Sequence, residues 1–199
     1  VDYDNDGDLD LFVCNYVQWS REIDMEVDYK LVGIGRAYGP PMNFPGSFPY
    51  LYRNDRQGKF TDVSAASGVQ VKSPATGLPM AKSLGVAVTD LNNDGWLDLI
   101  VANDTVQNFV FLNQHNGTFK ESGAAYGIAF DLYGGTRGAM GIDCSRIQND
   151  DNIAVAIGNF ANEMTALYVS QNLPHKNTVV FTDEAITQGI GVASRRSLT

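Results

Sequence analysis

The stretch DYDNDGDLDLFVCN, Asp2 to Asn15, returns as DLNNDGWLDLIVAN, Asp90 to Asn103, with the two registers agreeing over fourteen positions. Each is an acidic loop that runs straight into an apolar strand. A damaged third copy spans Asp143 to Asn159 (DCSRIQNDDNIAVAIGN); in this alignment it is three residues longer and carries Ala154 where the others carry Asp10 and Asp98. A second element alternates with the first, opening on Tyr52, Phe111 or Tyr168 and continuing through a turn to Phe60, Phe119 or Phe181. A glycine then follows eight residues later in every copy, as Gly68, Gly127 and Gly189. Small-residue strands, Gly85 to Asp90 and Gly138 to Asp143, lead into the acidic loops. Each unit thus offers four short strand candidates and no useful helical periodicity.

Four-stranded antiparallel units repeated in series predict β-propeller blades, an all-β architecture. Blade one is expected over 1–69, lacking its first strand and interrupted by an insertion at 17–49; blade two over 82–128; blade three over 136–190; and 191–199 as a linker to a following blade. Two units and most of a third cannot close a ring of about four to eight blades, so the chain reads as an open fragment of a longer propeller. It opens on Val1 inside a motif that a strand should precede, which leaves targeting signals unreadable.

Within the pattern DxDxDGxxD, oxygen donors fall at loop positions 1, 3, 5 and 9, and glycine at position 6 lets the backbone fold so that they converge. A hard cation seeking about six to eight oxygens fits that set, and calcium is the common one. Loop one would supply Asp2, Asp4, Asp6 and Asp10 with the carbonyl of Asp8. Loop two would supply Asp90, Asn92, Asp94 and Asp98 with the carbonyl of Trp96. An EF-hand begins alike but needs a bidentate Glu at position 12, where this chain has Val13 and Val101. Two calcium ions are expected, pinning hairpins so that binding energy becomes folding energy, and none in the degenerate third loop. Asp94→Ala should therefore remove a site, whereas Asp150→Ala should do little.

The 199 residues are 44% hydrophobic and carry a formal charge of -9, which allows a real core and argues against nucleic acid or an anionic membrane surface as partner. Five acids fall in the first ten residues, so the acidity is local, as cation sites require. Cys14 and Cys144 have no metal or redox spacing and read as small buried residues. No apolar run approaches the roughly 20 residues of a membrane-spanning helix.

The insertion at 17–49 carries Trp19, Tyr29, Tyr38, Phe44 and Phe48 beside Arg21 and Arg36. Aromatics capping a blade face is one reading; a partner or ligand patch is the other, because these residue types concentrate binding energy. Glu22, Asp24, Glu26 and Asp28 alternate and would share one solvated face along a strand. The two histidines, His115 and His175, lie in polar turns away from any triad spacing, so catalysis finds little support.

The loops DYDNDGDLDLFVCNY and DLNNDGWLDLIVAND, the elements YLYRNDRQGKFTDVS and FVFLNQHNGTFKESG, and the stretch GRAYGPP resemble FG-GAP/VCBS calcium-loop propeller repeats, most closely those of the ASPIC/UnbV (cartilage acidic protein 1-like) group. The resemblance implies a roughly seven-bladed full propeller, calcium in the loops, and an extracellular or periplasmic place. The third loop departs from the family pattern, and Arg56 stands where the strand turn usually has glycine. The expectation is a non-enzymatic binding or scaffolding module for a protein or cell-surface partner, with carbohydrate as a further ligand class. The alternative is the propeller of a secreted carbohydrate- or lipid-active enzyme.

Overall fold

The computed structural model describes residues 1–147, 151–172 and 179–196. The chain begins with an acidic loop and β1 (Leu11–Val13), then enters the insertion, which holds α1 (Arg21–Val27), the hairpin β2 (Lys30–Leu31) and β3 (Gly35–Arg36), and a 3-10 turn at Pro41–Asn43. It returns to blade one through β4 (Tyr50–Asn54) and β5 (Phe60–Asp62), followed by the one-turn helix α2 (Ser64–Ser67). Blade two is β6 (Ser83–Thr89), β7 (Asp98–Asn103), β8 (Phe109–Asn113) and β9 (Phe119–Glu121), closed by α3 (Gly123–Tyr126). Blade three is β10 (Ala139–Ser145), β11 (Ala154–Asn159), β12 (Ala166–Asn172) and β13 (Val179–Asp183), closed by α4 (Gly191–Ser194).

All blade pairings are antiparallel meanders, in the orders β1-β4-β5, β6-β7-β8-β9 and β10-β11-β12-β13. The molecule is all-β and its blades stack face to face without closing into a barrel. Blade two is buried on both faces, and its sequence shows why. Along β7, Leu99 and Val101 turn toward blade one, packing with Tyr3, Leu51 and Val69, while Ile100 and Ala102 turn toward blade three, packing with Val155, Ile157 and Tyr168. A strand covered on both sides gains nothing from polar alternation, so DLIVAN is apolar throughout its middle and every residue of it is buried.

The repeated aromatic-to-glycine spacing is a contact between blades. Gly68 and Gly127 each end a short helix at positive φ, +81° and +77°. A Cβ on Gly68 would stand 2.8 Å from the Phe119 carbonyl oxygen of blade two, and one on Gly127 would stand 2.5 Å from the Phe181 carbonyl oxygen of blade three. The glycine of one unit is therefore the seat for the phenylalanine strand of the next.

Three expectations are corrected. The strand ladder pairs Thr89 with Asp98 in blade two and Ser145 with Ala154 in blade three, so Arg146 rather than Asp143 stands where Asp90 does. Asp143 lies inside β10 opposite Ala156, and the third loop has no insertion; the repeated Asp that suggested otherwise is a strand residue. Next, Glu22, Asp24 and Glu26 lie on α1 and Asp28 is its C-cap, so the alternating acids do not form a strand. Ser20 Oγ caps the helix by accepting the Ile23 N–H at 3.2 Å, and Asp24 turns inward, 4% exposed, to pair with Arg36. Finally, both cysteines are only half-buried, although burial still pushes the Cys14 thiol up to about 11.

Candidate metal site and binding face

The acidic loops fold alike. Positions 4 and 6 both take positive φ, at Asn5 (56°) and Gly7 (87°) in loop one and at Asn93 (57°) and Gly95 (86°) in loop two. Glycine at position 6 meets this need without a Cβ, and the Asn that recurs at position 4 in both copies tolerates this conformation better than most residues. The first Asp then caps the turn it opens. Asp2 accepts the N–H groups of Asp6 and Gly7, as Asp90 does from Asp94 and Gly95.

Position 9 is the anchor of each loop. Asp98 is fully buried and accepts N–H bonds from Leu91 at 2.9 Å and Asn113 at 2.8 Å; Asp10 does the same from Tyr3 and Asn54. Burial raises the Asp98 carboxyl to about 6, against the two backbone donors that pull it down. The partners Asn54 and Asn113 were not singled out from the sequence, although each lies two residues beyond the repeat aromatic. Asn113 also reaches across blades, its Nδ2 donating to the Tyr3 carbonyl at 2.7 Å.

In loop one the carboxylates of Asp2, Asp4 and Asp10 bring oxygens within 4.8 Å of one another. Asp4 Oδ1 is buried and has no hydrogen-bond partner, and burial followed by the neighbouring Asp10 and Asp6 charges raises the Asp4 carboxyl. Clustered carboxylates with an orphaned buried oxygen are chemically suited to a hard cation. Asp6 turns aside, accepting the Asp8 N–H, and the Asp8 side chain pairs with Arg56 at 2.5 Å. Arg56 itself stands at φ +68°, in a turn that also holds Gln57 at +53° and Gly58 at +74°.

Loop two carries Asp90, Asn92 and Asp98 at the corresponding sequence positions. Its Asp94 accepts from Asn92 Nδ2 and meets His115 Nε2 at 2.9 Å, and the His115 ring stacks on Trp96 at 4.9 Å. In the third loop Arg146 lies 3.6 Å from Asp151. Asp150 and His175 lie outside the described residues.

The insertion is sewn to the body at its base. Val17 bridges Gly46, Gln18 N donates to Pro45 O at 2.8 Å, and Ser47 N donates to Ala81 O at 2.9 Å. Of the partner candidates, Phe44 is buried, Arg36 is committed to Asp24, and Phe48 lies under the Lys72 ammonium at 5.9 Å. Tyr29 is half-buried and Arg21 exposed. Trp19 and Tyr38 are displayed, 55% and 78% exposed.

A family model described as FG-GAP-like repeat matches residues 2–101 and again 90–157. A search of the curated proteins finds no match to the chain. No helix among the described residues is long and apolar enough to cross a membrane.

Proposed function

The chain belongs to the FG-GAP-like repeat family, and on that footing we propose that it is a calcium-stabilised, extracellular or periplasmic module that binds a protein partner through the loop face bearing the insertion. Repeats of this family are generally extracellular protein-interaction modules. The observation that carries the reading is the pair of displayed aromatics, Trp19 and Tyr38, on an insertion whose base is hydrogen-bonded to the blades. Large aromatics held rigidly at a surface lose little entropy on binding and are frequent interface anchors. We assign the chain to the ASPIC/UnbV group within the family on the stretch GRAYGPP, Gly35 to Pro41, which supplies Tyr38 to the same face.

Asp2, Asp4, Asp6 and Asp10 would hold one calcium ion with the Asp8 carbonyl; Asp90, Asn92, Asp94 and Asp98 would hold a second with the Trp96 carbonyl. The ion supplies charge neutralisation to crowded carboxylates and so locks the loop that carries Tyr3 or Leu91 into the next blade. The protein's own contribution is the preset turn and the buried Asp98 and Asp10 anchors.

The test is affinity capture from the native extracytoplasmic fraction, in calcium and in chelator, with the wild-type chain and a Trp19→Ala/Tyr38→Ala variant. A partner held by the wild type and lost by the variant, with the variant's calcium-dependent melting intact, supports the proposal. Identical capture by both would place the interface elsewhere and overturn it.

A further inference from the structure

The insertion shapes a cleft of about 320 Å³ whose walls are chiefly Tyr16, Trp19, Tyr38, Pro41 and Phe44. No side chain lining it is charged, and none is a carboxamide. Tyr16 and Pro41 also border a neighbouring cleft of different character, where the three blades meet and Asp104 and Glu163 lie close together.

The aromatic cleft is held from behind by bonds that its lining does not need for itself. Val17 bridges Gly46, and Gln18 Nε2 donates to the Gly46 carbonyl at 2.9 Å, which fixes the segment that carries Trp19. On the other wall, Asn43 and Phe44 donate their N–H groups to the Pro40 and Pro41 carbonyls, and the Lys82 ammonium reaches the Pro41 carbonyl at 2.7 Å. Gly39 lets that wall pack closely: a Cβ there would stand 3.2 Å from Val27 Cγ1 and 3.4 Å from Phe44 Cε2. The Tyr16 hydroxyl is spent on Asp104, so Tyr16 offers the cleft only its ring. Trp19 Nε1 and the Tyr38 hydroxyl, by contrast, have no hydrogen-bond partner among the described residues. The cleft thus combines several aromatic faces with two unused donors, and its lining has no carboxylate or amide side chain to accept a hydrogen bond.

We propose that this cleft binds a proline-rich segment of the partner polypeptide in the polyproline II conformation. Prolyl rings pack against Trp19 and Tyr38, and backbone carbonyls of the segment accept from Trp19 Nε1 and the Tyr38 hydroxyl. Chemical complementarity selects this occupant. An ordinary peptide carries an N–H at each residue, and burying one against a lining poor in acceptors costs about 1–3 kcal/mol. Proline has no N–H to bury, and polyproline II leaves its carbonyls free because it makes no internal hydrogen bonds. A charged side chain would lose its water here without gaining a partner. A sugar would bring donor hydroxyls and meet the same shortage of acceptors. The segment arrives already extended, so docking orders it at little entropic cost, and aromatic-lined grooves suit it. The inference rests on the interaction-module reading above and names the chemistry that the partner must present.

The experiment is NMR titration of the calcium-loaded chain with acetyl-hexaproline amide, and with a Gly-Ser hexapeptide and maltohexaose as controls. The reporters are the Trp19 indole N–H and the Gly39 and Gly46 amides. The expected result is sub-millimolar hexaproline binding that shifts these signals and leaves the Trp96 indole in place, with about tenfold weaker binding of both controls. Trp19→Phe and Tyr38→Phe, which keep a ring and remove the donor, should each weaken hexaproline about three- to tenfold. Both side chains are exposed, and unchanged calcium-dependent melting confirms that the variants fold. Equal binding of hexaproline and either control, no shift up to ~5 mM hexaproline, or unchanged affinity in both variants overturns the proposal. If the Trp19→Ala/Tyr38→Ala variant still loses its captured partner in that case, the interaction module stands and only its proline-rich ligand falls.

Discussion

At the scale of single residues, the loops depend on carboxylates in unequal positions. Asp4 carries the orphaned oxygen, so Asp4→Ala should abolish calcium stabilisation of loop one, whereas the wild type should gain about 2.7 kcal/mol with calcium at a hundred times its Kd. Differential scanning calorimetry in calcium and in chelator reads this, and an unchanged calcium increment in the variant would remove Asp4 from the site. Asp98 sets a pH dependence of opposite sign in the two conditions. Its folded carboxyl is raised by burial from 3.8 to about 6, so in chelator its contribution is whole below about pH 3.8 and lost as pH rises to about 6. The Asp98 contribution to the stability of the chelated protein, read as wild type minus Asp98→Asn, should fall over that window. Calcium favours the ionised carboxylate and should reverse the sign of that difference.

Among the elements, α1 shows how burial overrides pattern. The alternation of Glu22, Asp24, Glu26 and Asp28 reads as a strand face, yet Ser20 caps a helix and Arg36 in β3 draws Asp24 inside. With Asp24 Oδ1 already buried and without a partner, Arg36→Ala should leave the whole carboxylate unsatisfied and loosen the insertion by about 1–3 kcal/mol. Limited proteolysis should then cut between residues 28 and 36 faster than in the wild type, while the melting of the blades changes little. Equal cleavage rates would show that the ion pair does not hold the insertion.

For the whole molecule, stability resides at the seams, since the two large cores each draw on two blades. Gly127→Ala must both hold alanine at positive φ and push a methyl into the Phe181 carbonyl, so it should cost more than about 2 kcal/mol in urea denaturation. Gly189→Ala shares the positive φ, at +78°, but has open space around it and should cost only about 1 kcal/mol. Equal costs would mean that backbone strain, not blade contact, explains the glycine. The same stacking brings three blades to the cleft that holds Asp104 and Glu163, which no one repeat contains.

The sequence by itself determined what is local and periodic: the strand-turn units, the turn geometry at Gly7 and Gly95, and the carboxylate set that Asp2, Asp4 and Asp10 bring together. Side-chain alternation and turn chemistry act over a few residues, so spacing records them. Tertiary structure decided what depends on a neighbour. It moved the third loop's register by three residues, because hydrogen-bonded pairing of β10 with β11, not the position of an Asp, sets which residues face each other. It turned Asp24 inward, set Gly68 and Gly127 each against a carbonyl of the next blade, and brought Tyr16, Asp104 and Glu163 together from three separate parts of the chain. Long-range packing chooses these partners, and no window of sequence contains both members of such a pair.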